Sequence, residues 1–265
     1  MYCHFDNPFV YLIDHSKFDS RVNWRLLRME HRFYLNIFPD PFLEYLLKFQ
    51  INNKGRSRNG LKYQCLGRRM SGDANTALGN CVINYALLRI KFGPLAIIYL
   101  DGDDSVVFTE HIVNDLNFED TGMVSKIQIV RHFQEIEFCQ ARPVMTSLGW
   151  LMCREPMRAL NRALWKLGTV PKDLHNYLAT IGIGEGLCSP EMPIISVISK
   201  VYRSLGGKYK IHYSQYRPDT MACVKKFLMP THSSRVSFAN AFDLDVKVQI
   251  CIENEILDAV LLRKY

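Results

Sequence analysis

Ala96-Ile97-Ile98-Tyr99-Leu100-Asp101-Gly102-Asp103-Asp104-Ser105-Val106-Val107-Phe108 reads as two apolar strands joined at a tight turn. Asp-Gly is a strong hairpin signal, because glycine adopts the positive φ that a two-residue turn needs. The turn sets Asp103 and Asp104 side by side. An isolated Gly-Asp-Asp says little about function, so the flanking sequence decides its meaning. Upstream, Phe9-Val10-Tyr11-Leu12-Ile13 reads as a buried strand ending at Asp14, which opens Asp14-His15-Ser16-Lys17-Phe18-Asp19. Asp14, Asp103 and Asp104 are carboxylates, the oxygen donors a divalent cation requires.

Between the two strands lies Ser71-Gly72-Asp73-Ala74-Asn75-Thr76-Ala77-Leu78-Gly79-Asn80. It carries too many polar and glycine positions for a generic helix start. The step of four from Thr76 to Asn80 puts both on one helix face, with Asp73 or Asn75 available as cap. Leu78, Cys81, Val82, Tyr85 and Leu88 continue the helical spacing.

Elsewhere, Val22, Leu26, Met29 and Phe33 mark a helix that Pro39 and Pro41 end, and Phe42, Tyr45, Leu46 and Phe49 mark the next. Residues 51–70 read as a basic hairpin, and the stretch from the Gly102 hairpin to about residue 135 is mixed. Glu137 to Val144 suggests a turn between short strands. Pro156, Met157, Leu160, Leu164 and Leu167 predict a helix stopped at Gly168. Leu174, Tyr177, Leu178 and Ile181 predict another stopped at Gly182, and Pro193 to Leu205 a third stopped by Gly206-Gly207. Gly182-x-Gly184-x-Gly186 lacks dinucleotide-loop spacing and reads as a helix stop and loop. Residues 242–262 suit either strand or helix. The fold class is α+β, with an α+β lobe to about residue 148 and a mainly helical lobe after it.

A net charge of +7 favours a polyanionic partner. The basic clusters are Lys54-Gly55-Arg56-Ser57-Arg58 and Gly67-Arg68-Arg69, although runs this short also suit solvated loops. The eight cysteines form no CxxC pair and have no histidine at zinc spacing, which argues against a zinc site and fits a reduced, intracellular protein. None of the eight histidines pairs convincingly with a serine or cysteine nucleophile. No signal peptide is expected from the sequence as read, and its apolar runs fall far short of the ~20 residues of a membrane span. Membrane association would come through another segment or a partner.

In order and chemistry, the three central segments resemble motifs A, B and C of viral RNA-dependent RNA polymerases. With Asn53-Lys54-Gly55-Arg56 and Arg69-Met70, they look like those of tombusvirus-like positive-strand RNA viruses. Ile136-Glu137-Phe138-Cys139-Gln140 is similar to that family's motif E, so the resemblance covers about residues 9–145. It implies a right-hand polymerase core: a palm with part of the fingers over 1–148, built on an antiparallel sheet with helices, and a helical thumb over 149–265.

By resemblance, Asp14 and Asp103 bind two Mg²⁺ (or Mn²⁺) ions with help from Asp104. Asp19 and Asn80, with Ser71 or Thr76, read the ribose 2′-hydroxyl, and Gly72 lets the backbone flex during translocation. Lys126 is the best candidate for the motif D general acid, with Arg131 a rival, and a solvated surface lysine is the equal alternative. Lys54, Arg56, Arg68 and Arg69 contact RNA, and Phe138, Cys139 and Gln140 lie under the growing 3′ end. The implied partners are RNA template and product, nucleoside triphosphates, and an upstream fingers segment or other replicase proteins. The implied location is the host cytoplasm, in a membrane-associated replication complex.

Two other readings compete. Reverse transcription is disfavoured by Asp19, because similar enzymes that use deoxynucleotides carry a bulky aromatic near that position. The other rival is a non-catalytic RNA-binding palm and thumb fragment. It follows from the chain's beginning about a strand's length before Asp14, where the family's basic fingers motifs would already have passed.

Overall fold

Strand β1 (Phe9–His15) buries Val10, Tyr11, Ile13 and His15 and leaves Asp14 exposed. It runs antiparallel to β5 (Asp104–Thr109) on one side and β6 (Ser125–Val130) on the other. With β4 (Ile97–Asp101), the sheet order is β4-β5-β1-β6. The computed structural model describes residues 5–162, 173–210 and 226–261. These form two compact units, 1–131 and 132–265.

In the first unit, α2 (Trp24–Ile37) and α4 (Thr76–Phe92) bury one core with the sheet, formed by Tyr11, Leu27, Ile83, Leu88, Val107 and Phe118 among others. Burying such apolar surface is the dominant favourable contribution to folding. Asn23 starts α2 by accepting from the Arg25 and Leu26 amides, and Asp40 does the same for Phe42 at the start of α3 (Pro41–Ile51). Helix α3 turns Phe42, Tyr45, Leu46 and Phe49 outward. The basic hairpin is present as β2 (Asn52–Arg56) and β3 (Lys62–Leu66). The stretch read as mixed contains β6, whose burial alternates from Ser125 to Gln128 before Ile129 is exposed and Val130 buried.

The buried side of α4 differs from the sequence reading. Leu78 and Tyr85 are exposed, whereas Asn80, Ile83, Asn84 and Leu87 point inward. Asn75 does sit at the N-cap, but its side chain donates to Glu30 and Gln50 and gives no cap hydrogen bond.

In the second unit, β7 (Ala141–Thr146) and β8 (Gly149–Arg154) pair as a hairpin. Position 148, where the sequence suggested a lobe boundary, falls at this hairpin's turn, and both strands lie in the same unit. Its described helices are α5 (Pro156–Arg162), α6 (Leu174–Cys188), α7 (Ile195–Ser204), α8 (His232–Phe242) and α9 (Val246–Leu261). Val144, Cys153, Met192, Ile195 and Phe238 are in its core. Residues 246–252 are thus helical, despite alternating like a strand. Leu164, Leu167 and Gly168 lie outside the described residues.

The expected stop at Gly182 is also corrected, because Gly182, Gly184 and Gly186 all lie inside α6. A Cβ on Gly182 would sit 2.8 Å from Tyr202 Cβ and 2.9 Å from the Ser199 carbonyl. Gly186 likewise has Ser199 Oγ against it. The glycines a turn apart are where α7 comes close, and Ser199 Oγ donates to the Gly182 carbonyl at 2.6 Å. Helix propensity alone favours Gly182→Ala by about 1 kcal/mol. Crowding against fixed backbone should outweigh it, giving a net loss of about 1–3 kcal/mol in urea unfolding. A stabilised variant would show that this close packing is absent. No described helix is long and apolar enough to cross a membrane.

Candidate active site

Gly102, with φ 65, and Asp103 form the two-residue turn between β4 and β5. Positive φ at the first central position alone is the pattern of a type II′ turn. Asp104, the first residue of β5, lies directly opposite Asp14 on β1, and Asp14 lies opposite Lys126 on β6. Directly opposed residues of antiparallel strands point to the same face. Asp104, Asp14 and Lys126 therefore form one row, with Asp103 beside it in the turn. Arg131 lies one residue beyond β6, toward the Phe9 end of β1, with its guanidinium 3.7 Å from the Phe9 ring centroid. It is not in the row.

Like charges placed directly opposite repel, so Asp14 and Asp104 create a locus where a cation is stabilising. Among the described residues, the Asp14 and Asp103 side chains are exposed and accept no hydrogen bond. No group of three or more His, Cys, Asp or Glu residues there is arranged to hold a metal ion. Mg²⁺ typically binds through one or two carboxylates, with water and substrate phosphate completing its shell. The donor set fits that mode and does not fit a closed protein cage.

Spacing alone does not bring Asp19 to this site. Lys17 adopts a left-handed conformation, φ 54, and turns the chain from β1 into α1 (Phe18–Arg21), where Phe18 is buried. Asp19 then accepts from Asn80 Nδ2 at 2.7 Å and from Ser71 Oγ. The Thr76 hydroxyl instead donates to the Met70 carbonyl at 3.1 Å, closing the loop before α4. Gly72 in that loop has φ 101, which L side chains rarely adopt.

Arg69 was expected to contact RNA. Its side chain is fully buried in an ion pair with Glu30, and its Nε donates to Asn80 Oδ1 at 3.1 Å. It is an internal brace. Glu30 also accepts from Tyr34 and Asn75. Gly79 makes room for this pair, since a Cβ there would meet both Glu30 and Arg69. Arg68 is exposed and donates to the Ser20 carbonyl at 3.1 Å, while Lys54 and Arg56 are exposed on one face of β2. Phe138, Cys139 and Gln140 lie in the second unit. Cys139 and Gln140 both have positive φ, 51 and 60, in a tight turn closed by two bonds between Phe138 and Ala141.

Sequence reasoning missed a buried polar chain beneath the carboxylates. Ser125 Oγ lies 2.7 Å from His15 Nδ1, and His15 Nε2 lies 3.1 Å from Asn84 Oδ1. Asn84 Nδ2 donates to the Gly102 carbonyl at 3.0 Å and the Asp103 carbonyl at 3.4 Å. Burial pushes the His15 pKa down, against the Asn84 hydrogen bond and the charges of Asp103 and Asp14. The available signal was an asparagine one turn beyond Asn80, on the same helical face.

A family model described as viral RNA dependent RNA polymerase matches residues 1–264. The RNA-directed RNA polymerase of tomato bushy stunt virus is 30% identical, over 95% of this chain and 33% of its own length. That of turnip crinkle virus is 32% identical over 74% of this chain and 28% of its own length. That of melon necrotic spot virus is 35% identical over 62% of this chain and 23% of its own length. The chain thus spans about a third or less of these curated relatives.

Proposed function

We propose, since this chain belongs to the viral RNA-dependent RNA polymerase family, that its first unit holds the nucleotidyl-transfer centre of an RNA replicase. The observation that carries this reading is the cross-strand row of Asp104, Asp14 and Lys126 beside the Asp103 turn. The reaction adds ribonucleotides to an RNA 3′ end on an RNA template, for viral genome replication. Asp14 and Asp103 would hold two Mg²⁺ or Mn²⁺ ions, aided by Asp104. When bound, such ions lower the pKa of the attacking hydroxyl and stabilise charge on the phosphates.

The chain's own residues do the rest. Asp14 and Asp104 repel a bare triphosphate, so the row admits it only when its charge is screened. Lys126 holds a proton at Nζ, in register with Asp14, for the departing pyrophosphate. Asp19 accepts from the ribose 2′-hydroxyl, with Asn80 and Ser71 fixing its carboxylate. Lys54, Arg56 and Arg68 track the RNA backbone. The assignment of Phe138, Cys139 and Gln140 to the product 3′ end, and of palm to residues 1–148 and thumb to 149–265, rests on the resemblance. So do a fingers segment, other replicase partners, and a site in the host cytoplasm within a membrane-associated complex.

The test is incorporation of ribo- and deoxyribonucleotides by a polypeptide of the relatives' length that contains this chain. The wild type should extend RNA and prefer ribonucleotides. Asn80→Ala should narrow that preference at least about tenfold, because a hydroxyl-reading site penalises its absence through unpaired polar groups. Failure of the wild type to extend any primer would favour a non-catalytic RNA-binding role. An unchanged sugar ratio would remove Asn80 from the reading pair.

A further inference from the structure

We propose that His15 and Asn84 are positioning residues that clamp the Gly102–Asp103 turn from beneath the sheet, and so set where the Asp103 carboxylate stands. The inference deepens the polymerase reading and rests on it for its functional part. His15 and Asn84 are both fully buried. Buried polar groups are costly unless each atom has a partner, and here every one does.

The proton positions follow from the donors. Asn84 Nδ2 points at two backbone carbonyls, so Nδ2 must donate and Oδ1 is left to accept. His15 Nε2 faces that Oδ1 and must therefore carry the hydrogen. Nδ1 is then the acceptor, and Ser125 Oγ donates to it. For a neutral imidazole the direction runs Ser125 to His15 to Asn84 to the turn. The rings of Phe18 and Phe118, with centroids 5.6 and 5.2 Å from the imidazole, hold His15 in place.

The turn is gripped at both ends of one residue. Asn84 takes the Gly102 carbonyl, and Cys81 Sγ accepts from the Gly102 amide at 3.3 Å. Both grips come from α4, the helix that also carries Asn80. Asp14 and His15 are neighbours on β1 and so point to opposite faces of the sheet. The clamp thus stands behind the carboxylate row and touches no reacting group. It links the turn to the sugar-reading helix, so Asp103 and Asn80 keep a fixed separation.

Asn84→Asp keeps the shape but removes the donor, and His15→Leu removes both ring nitrogens. His15→Gln keeps an N–H for Asn84 and an oxygen for Ser125. Amide hydrogen exchange is measured on the 265-residue chain. Asn84→Asp and His15→Leu should speed exchange at residues 102–104 by about tenfold or more, with β1 and the rest of α4 unchanged. His15→Gln should stay near wild type. In an RNA-synthesising polypeptide, the first two should lower kcat about 10–100-fold, with KM for nucleotide and affinity for RNA within about twofold.

Should Asn84→Asp not fold, the Leu and Gln variants of His15 decide alone. Wild-type exchange at the turn, or protection lost evenly across the unit, would overturn the clamp. A local exchange change in a protein whose wild type makes no RNA would sink the polymerase reading and leave the clamp standing.

Discussion

Asp103→Asn should abolish nucleotide addition while the protein still folds. The substitution keeps the shape of a side chain that is exposed in a hairpin turn. The turn itself is held through backbone groups, the Gly102 amide and the Gly102 and Asp103 carbonyls, none of which the change touches. What is lost is a full negative charge at the place where the phosphates and their counter-ions must gather. Preorganised charge of this kind is worth about a hundredfold to a thousandfold in rate per group, and a metal ligand is at the upper end or beyond.

The measurement is primer extension with Mg²⁺ in the complete polymerase, alongside the melting temperature of the variant. A loss on the order of a thousandfold in kcat at unchanged melting temperature is the expected pair of results. Activity within about tenfold of wild type would remove Asp103 from that role.

The parts of this site that announce themselves in the sequence are those set by local rules. Asp101-Gly102 demands a turn, and the alternating apolar residues around it demand strands, so the Asp103 hairpin was legible. The same holds for β1 ending at Asp14. Long-range register was not legible, because no local pattern says that Asp14 pairs with Asp104 on one side and Lys126 on the other. Helix α4 shows the limit most clearly. Periodicity assigned its buried face to apolar residues, yet part of that face is asparagine, at positions 80 and 84. Burying asparagine makes sense only once its partners are known, and those partners are 61 and 69 residues distant in the chain. Arg69 misled for the same reason. A basic residue in a basic run reads as surface until a buried glutamate from another helix is found beneath it.

That buried pair leads to the second large effect. Arg69→Met should destabilise the protein by about 3–5 kcal/mol, because Glu30 is left charged in a site with no exposed side-chain surface. Urea unfolding reads this directly. Sugar choice should suffer as well, through a different route. Arg69 Nε donates to Asn80 Oδ1, which forces Asn80 to present Nδ2 to Asp19. Without Arg69 the amide is free to rotate, and Asp19 loses a fixed partner.

The two effects separate in the double variant Arg69→Met with Glu30→Gln. The neutral amide no longer buries a charge, and its oxygen still accepts from Tyr34 and Asn75, the partners Glu30 now has. A sizeable part of the lost stability should return, as when both members of a buried ion pair are replaced together. Ribose discrimination should not return, since nothing in the double variant restores the donor to Asn80. Recovery of both properties together would mean that Arg69 acts on sugar choice only by keeping the unit folded. Recovery of stability alone would establish the guanidinium as the group that orients the sugar-reading pair.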